Sequence, residues 1–264
     1  MRTTHIIGVT AIRAITLCLM MAPAAGFAGQ QRQSQKVHDN LSNADYTASI
    51  DASGNAVLTL KAGDFLLEKA VDSSGNFTLR LTQGKDIVSI VSNSAGYLVS
   101  HGKRAARFDP RVAGQTEARD AVRAVLLGSP AVRSFRRLSV VLENRDEGED
   151  ESPMTLSALV DGAIVQMLDG DPGAVPRIAK RVVRTQRARL RAVRVRATDT
   201  LKDCVGMYER SLLEAWNQAV QCMEWASGVF WYFEDWAQGF CYWEWIARSQ
   251  QYIYQFIQCL ALPF

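Results

Sequence analysis

Four cysteines near the C-terminus constrain the fold of this chain more than any other feature. Cys204 and Cys222 are 18 residues apart, and so are Cys241 and Cys259. On an α-helix, 18 residues complete five turns and rise about 27 Å, so the two cysteines of each pair lie on one line of a helix. A disulfide needs Cα atoms within about 7 Å of each other, so neither pair can close within its own helix.

One pairing between two helices suits the length of the chain. Bonds from Cys204 to Cys241 and from Cys222 to Cys259 would need parallel helices, for which the short link between the helices leaves little chain. We therefore predict an antiparallel αα-hairpin in which Cys222 bonds to Cys241 and Cys204 bonds to Cys259.

The predicted hairpin has an interface that permits close approach of its two helices. Small residues lie on or near the cysteine line: Ser211, Ala215 and Ala219. The same register predicts an ion pair between Glu214 and Arg248. The turn between the helices is expected near Ser227 and Gly228.

The N-terminal residues 1–28 have the pattern of a signal peptide. Arg2 and Arg13 supply positive charge, residues 14–25 are largely apolar, and a small-x-small cleavage site ends at Ala28. An uncleaved anchor is the alternative, but about 12 apolar residues fall short of the roughly 20 that a bilayer span needs. Export to the periplasm or the cell exterior fits the four remaining cysteines, because disulfides persist in oxidising compartments.

A 21-residue repeat occupies residues 44–110, after a polar segment, residues 29–43, that we expect to be a flexible tail. Two sets of glycines recur at this interval: Gly54, Gly75 and Gly96, and also Gly63 and Gly84. Aspartate and glycine favour tight turns, and the runs AVLTL and FTLRL between them are rich in strand-forming residues. We predict three hairpin units that form an antiparallel β-meander with one buried and one solvated face.

Amphipathic helices are predicted over residues 115–172. One begins at Thr116 and stops at Gly128, a second follows directly, and a third runs from 154 to 168. An acidic linker, residues 143–153, separates the second from the third. With 48% hydrophobic residues the chain can bury a core, and its fold class is α+β.

The last part of the chain, residues 174–264, opens with an arginine-rich segment that leads into the hairpin. Helical periodicity places six arginines on one candidate anion-binding stripe: Arg177, Arg181, Arg184, Arg187, Arg191 and Arg194. Alternation of valine and arginine from Val193 to Arg196 also permits a strand. An anionic membrane surface is a candidate partner for the stripe, whereas the low net charge after cleavage argues against nucleic acid. A solvated face, with the acidic linker as counter-charge, is the alternative.

Aromatic residues concentrate in the hairpin, since sixteen of the 23 in the chain lie from Cys204 onward. The segment VFWYFEDW at the predicted tip supplies a candidate binding surface: Phe230, Trp231, Tyr232, Phe233 and Trp236. Tryptophan and tyrosine offer large, rigid contacts at low entropic cost. Packing of these rings against the rest of the protein is the alternative.

Catalytic and metal-binding motifs are missing from the sequence. After cleavage the chain keeps His38 and His101, which we place in loops or tails, and it has no HExxH, GxSxG or phosphate-binding glycine loop. Cysteines 18 residues apart on a helix cannot converge on one ion. We therefore predict neither a metal nor a cofactor. Glu234, Asp235 and Glu244, near aromatic rings, are the candidates for an unrecognised carboxylate site.

These observations predict an exported, non-catalytic binding or assembly protein that acts through its aromatic-rich hairpin. The expected partner is a protein, a glycan or another component of the cell envelope. Two alternatives remain open: a secreted hydrolase that uses the carboxylates, and the precursor of a membrane-active, cysteine-stapled peptide released near Lys180 and Arg181.

Overall fold

Eight β-strands follow one another along the chain and form a single antiparallel sheet in the order β1 to β8. They are β1 Gln35–Asp39, β2 Ala44–Ile50, β3 Ala56–Ala62, β4 Phe65–Val71, β5 Phe77–Gln83, β6 Asp86–Asn93, β7 Gly96–His101 and β8 Arg104–Phe108. The structure, a computed structural model of the chain, describes residues 34–112, 114–145, 152–194, 204–229 and 234–261. The predicted antiparallel meander is confirmed.

The sheet begins earlier than the sequence suggested. β1 lies within the segment predicted to be a flexible tail and pairs with β2, from Gln35 opposite Ala48 to Asp39 opposite Ala44. Its last residue accepts a hydrogen bond from the side chain of Arg145, 106 residues further along the chain. A partner so distant in sequence explains why local composition did not indicate this strand. Residues 1–33, with the predicted signal peptide, lie outside the described residues.

Two kinds of turn alternate along the meander and account for the 21-residue repeat. At one end of the strands, Gly63 and Gly84 have φ of +58° and +60° and are the first residues of two-residue turns. A type II′ hairpin turn requires this conformation, which favours glycine. At the other end of the strands, the Oδ1 atoms of Asp51 and Asp72 each accept hydrogen bonds from two backbone N–H groups, those of the residues two and four positions later in the chain.

One face of the sheet is buried and the other is largely solvated. Large apolar side chains at alternate positions fill the buried face: Leu58, Leu60, Leu67, Leu79, Leu81, Val88, Ile90 and Val99. Each such side chain stabilises the fold by about 1.5–3 kcal/mol relative to an exposed one. On the opposite face a row of mostly polar residues crosses the strands, and Glu68 stands directly opposite Arg80.

The described part of the chain also forms six helices, some of which cover the buried face. They are α1 Thr116–Leu126, α2 Pro130–Glu143, α3 Pro153–Leu168, α4 Ala174–Arg194, α5 Cys204–Val229 and α6 Glu234–Ala261. Ser129 and Ser152 cap α2 and α3 by accepting backbone N–H groups of Val132 and Thr155. α1 begins at Thr116 as predicted, and its N-terminus has no side-chain cap.

α3 lies at the centre of the protein. It contacts β2 and all the other helices, and every residue from 153 to 166 is buried. A helix that is apolar on all sides is stable only when it is enclosed. Polar side chains on α3 are therefore enclosed as well, which determines the environment of Asp161.

α6 lies across the end of the sheet at which the strands are joined by the aspartate-led turns. The Gln258 side chain donates a hydrogen bond to the carbonyl oxygen of Gly54, at 3.2 Å. In the next turn, a Cβ on Gly75 would lie 2.9 Å from the carbonyl oxygen of Ala247. The sheet and α6 thus lie so close together that there is no space for a side chain at Gly75.

Candidate functional site

The two disulfides have the predicted pairing. Cys204 bonds to Cys259 and Cys222 to Cys241, with Cα–Cα distances of 5.9 and 5.8 Å. α5 and α6 therefore run antiparallel, and the small residues that the sequence singled out are buried or half-buried at their interface. The predicted C-terminal hairpin is confirmed.

The ion pair predicted across the hairpin has a different geometry. The Arg248 guanidinium donates to the Oε1 atom of Gln218, and its Nε donates to Glu244 at 2.9 Å. Glu214 instead accepts a hydrogen bond of 3.3 Å from the amide of Gln218. The contact lies one helical turn from the predicted position, because the long arginine side chain extends along the helix axis.

The end of the hairpin where α5 leads into α6, called the connection end below, presents aromatic residues on both helices. Trp225 is 64% exposed and Phe240 is 39% exposed. The inner disulfide, Cys222 to Cys241, lies beside them and fixes the spacing of the two helices. Of the candidate surface predicted from the sequence, residues 230–233 and the side chain of Trp236 lie outside the described residues.

Elsewhere on the hairpin the aromatic rings are part of the core. Trp216 and Trp245 meet edge to face with centroids 6.1 Å apart, and the rings of Tyr208 and Phe256 are 5.3 Å apart. All four are at most 6% exposed. Packing therefore explains these rings, whereas the exposed rings lie towards the connection end.

The arginine-rich segment forms one helix, α4, as far as Arg194, so the strand alternative does not hold there. Its apolar side, with Ile178, Val182 and Val183, is buried. Lys180, Arg184 and Arg187 are exposed and Arg181 is half-buried on the other side. The side chains of the last two predicted stripe residues, Arg191 and Arg194, lie outside the described residues.

Arg177, the first residue of the predicted stripe, has internal partners. It donates hydrogen bonds to Gln166 at 2.8 Å, to Asp171 at 3.1 Å and to Glu143 at 3.4 Å. Glu143 is the first residue of the acidic linker, so at this position the linker provides the counter-charge that the sequence suggested. The exposed basic surface of α4 accordingly begins at Lys180.

Only one of the three carboxylates of the hydrolase alternative has a described side chain. Glu244 is bonded to Arg248, and the side chains of Glu234 and Asp235 are not among those described. No group of three or more histidine, cysteine or acidic residues is arranged to hold a metal ion within the described residues. None of the described helices is long and apolar enough to span a membrane.

A buried polar cluster at the centre of the protein was missed by sequence reasoning. Lys69, on β4, donates a hydrogen bond of 2.7 Å to the Oδ1 atom of Asp161 and one of 3.0 Å to the hydroxyl of Ser157, both on α3. The side chains of Lys69 and Asp161 are 0% exposed. Two signals could have indicated this pair: Lys69 occupies an inward position of an alternating strand, and Asp161 interrupts an otherwise apolar helix.

Burial controls the electrostatics of this pair. Loss of hydration lowers the pKa of Lys69 below its usual value, although Asp161 opposes the shift. Loss of hydration also raises the pKa of Asp161, against the opposing effect of Lys69 and of the nearby Gln250 side chain. Both shifts favour the uncharged forms of the two groups, so a proton can be shared along the 2.7 Å hydrogen bond.

His101 is the last residue of β7, whereas the sequence placed it in a loop. Its Nε2 lies 2.6 Å from Asp86 Oδ1, and its Nδ1 lies 3.2 Å from the carbonyl oxygen of Val125. The Oδ2 atom of Asp86 accepts hydrogen bonds from the hydroxyl of Ser129, at 2.5 Å, and from the N–H of Ala131. The serine hydroxyl bonds to the carboxylate and not to the imidazole, so this cluster ties the sheet to α1 and α2 and does not form a hydrolytic triad.

A shallow cleft of 360 Å³ opens between α2 and the ends of β3, β4 and β5. Phe65, Leu138 and Val141 provide an apolar lining, and Ser134, Gln83 and Arg137 provide polar groups at its walls. The volume is at the lower end of the range for small-molecule sites. It contains no cluster of titratable groups within the described residues.

Comparison of the chain with known protein families, characterised proteins and solved structures found no match.

Proposed function

We propose that this protein is an exported binding protein that uses the connection end of its disulfide-stapled hairpin to contact a protein or glycan of the cell envelope or exterior. The single observation that carries this proposal is the 64% exposure of Trp225. Tryptophan is among the residues most enriched at the energetic centres of interfaces. Phe240 lies on the adjoining helix and is also exposed, so two exposed aromatic side chains lie at one end.

The inner disulfide supports the proposal through preorganisation. It joins α5 three residues before Trp225 and joins α6 one residue after Phe240. A surface that is rigid before binding loses less conformational entropy on association. The two disulfides also support export, because such bonds persist in oxidising compartments.

Site-specific photocrosslinking tests this function. A photoreactive phenylalanine analogue replaces Trp225 in one variant and Leu127 in a matched control, since Leu127 is 70% exposed at the end of α1. The exported protein is irradiated in intact cells. We expect discrete adducts from position 225 that position 127 does not give. Identical adducts at both positions, or none at position 225, would contradict the proposal.

A binding measurement with the partner found in this way provides the quantitative test. Trp225→Ala should weaken binding by about 2 kcal/mol, or roughly 30-fold, if this side chain is an energetic centre of the interface. Leu127→Ala should leave the affinity unchanged within twofold. Both positions are exposed, so each substitution should change the free energy of unfolding by less than about 0.5 kcal/mol.

A second candidate function is binding to an anionic membrane surface through α4. It is favoured by the exposure of Lys180, Arg184 and Arg187 on one side of that helix, because basic side chains near an anionic surface attract it electrostatically. Sedimentation with anionic vesicles at low and high salt tests this idea. Lys180→Glu combined with Arg187→Glu should abolish salt-sensitive binding, whereas Lys61→Glu, on the sheet, should not.

A further inference from the structure

The Lys69–Asp161 pair is enclosed between the sheet and α3. The Nζ atom of Lys69 lies 5.9 Å from the centre of the Phe77 ring, and the flanking inward residues of β4, Leu67 and Val71, are at most 1% exposed. The pair therefore sits in an apolar environment in which charged groups are stable only when their hydrogen bonds are complete.

The hydrogen bonds of this pair are incomplete for a lysine ammonium and an aspartate carboxylate. Within the described residues, Lys69 Nζ donates two hydrogen bonds although an ammonium has three protons. The Oδ2 atom of Asp161 is buried and has no hydrogen-bond partner there. One donor and one acceptor of the pair are thus left unsatisfied in the interior, where each costs about 1–3 kcal/mol.

We propose that Lys69 and Asp161 condense to form an intramolecular isopeptide bond that joins β4 covalently to α3. The amide has one N–H and one carbonyl oxygen. The N–H remains beside the Ser157 hydroxyl, 3.0 Å from Nζ. Condensation therefore removes both charges and the surplus donor, and it leaves one carbonyl oxygen in place of two carboxylate oxygens.

The reaction needs only the two side chains. Proton transfer from the ammonium to the carboxylate yields a neutral amine and a carboxylic acid. The Nζ lone pair then forms a bond with Cγ, and one carboxyl oxygen leaves as water, which carries its own proton and one from nitrogen. No oxidant, reductant or other reactant takes part.

The site favours each of these steps. Burial shifts the pKa of both groups towards the neutral forms, which are the reactive ones. The fold holds the amine in contact with the carboxyl group, so the reaction has the high effective molarity of an oriented intramolecular process. Ser157 accepts a hydrogen bond from the nucleophilic nitrogen and can relay its proton.

Intact-mass spectrometry of the exported, non-reduced protein tests this inference. We expect a mass one water lower (about 18 Da) than that of the mature chain with two disulfides. Proteolysis should release a branched peptide in which Lys69 and Asp161 are linked. A full mass would overturn the inference.

One other product would have the same mass and must be distinguished. Asp161 precedes Gly162, and this dipeptide can lose water to form a cyclic imide. Hydroxylamine cleaves the chain at an imide and leaves an isopeptide bond intact. A mass deficit that hydroxylamine removes, or that the peptide map places away from Lys69, would overturn the inference.

Two variants sharpen the test. Lys69→Arg retains the positive charge but removes the amine, and it should have the full mass. Asp161→Ala removes the carboxyl group, and it should also have the full mass. A deficit that persists in Lys69→Arg would overturn the inference. If these variants fail to fold, the wild-type peptide map alone decides the question.

Discussion

Substitution of Gly75 by alanine tests whether α6 packs directly against the aspartate-led turns at the end of the sheet. A Cβ at this position would lie 2.9 Å from the carbonyl oxygen of Ala247 and 3.4 Å from the N–H nitrogen of Gln251. Both atoms belong to the backbone of α6 and cannot rotate away. The helix must therefore shift as a body, as in an overpacked core, which costs about 1–3 kcal/mol.

Gly54 provides a matched control, because it occupies the same position of the preceding aspartate-led turn. Its φ is +85° and that of Gly75 is +81°, but a Cβ at Gly54 would have no atom within 4 Å. Both substitutions carry the same cost, about 1–2 kcal/mol, for placing alanine in the left-handed region. The difference between them isolates the contact that the added Cβ at position 75 makes with the backbone of α6.

Urea unfolding of the two variants, with the disulfides intact, measures this difference. We expect Gly54→Ala to lower the free energy of unfolding by about 1–2 kcal/mol and Gly75→Ala by about 2–5 kcal/mol, the sum of the two costs. Equal losses of unfolding free energy in both variants would refute the packing of α6 against these turns. A change in the slope of the transition would show that compactness has changed as well.

Three further predictions follow from other contacts. Replacement of Cys204 and Cys259 by serine opens a loop of 55 residues. It should lower the free energy of unfolding by about 4 kcal/mol, because the unfolded chain gains conformational entropy. A smaller loss than that from removing the inner disulfide, whose cysteines are 19 residues apart, would contradict this. Burial raises the pKa of Asp86, but hydrogen bonds from Ser129, Ala131 and His101 outweigh it and lower the pKa below its usual value. The stabilising contribution of the Asp86 carboxylate is therefore complete above about pH 4–5 and is lost as pH falls through the lowered pKa. The difference in unfolding free energy between wild type and Asp86→Asn should shrink from pH 5 to pH 3. A constant difference would count against this role. Gly162→Ala should lower the melting temperature because its Cβ would contact the Ser139 side chain, and adding Ser139→Gly should restore part of the loss.

Local rules were sufficient for much of the fold. The disulfide pairing followed from the pitch of a helix and the length of the link, since the 18-residue spacing allows one antiparallel register. The aspartate-led turns followed from side-chain hydrogen bonds that span at most four residues. Interactions of this range depend on few neighbours, so a sequence pattern can express them.

Contacts between distant segments were not predictable in the same way. β1 was taken for a flexible tail, because the ion pair that holds it joins Asp39 to Arg145. The predicted partner of Arg248 was wrong by one helical turn, since the reach of a long side chain depends on how the two helices pack. Composition concentrated the aromatic residues in the hairpin, but it could not separate the exposed Trp225 from the buried Trp245.

The sequence by itself determined the antiparallel meander, the amphipathic helices α1 and α2 and the two disulfides, because periodicity, turn chemistry and helix pitch act over short distances along the chain. Only the tertiary structure decided that α3 would lie at the centre and that Lys69 would meet Asp161, 92 residues away. A lysine in a strand and an aspartate in a helix are ordinary at a surface. They become a reactive pair only when packing removes water from both at the same place.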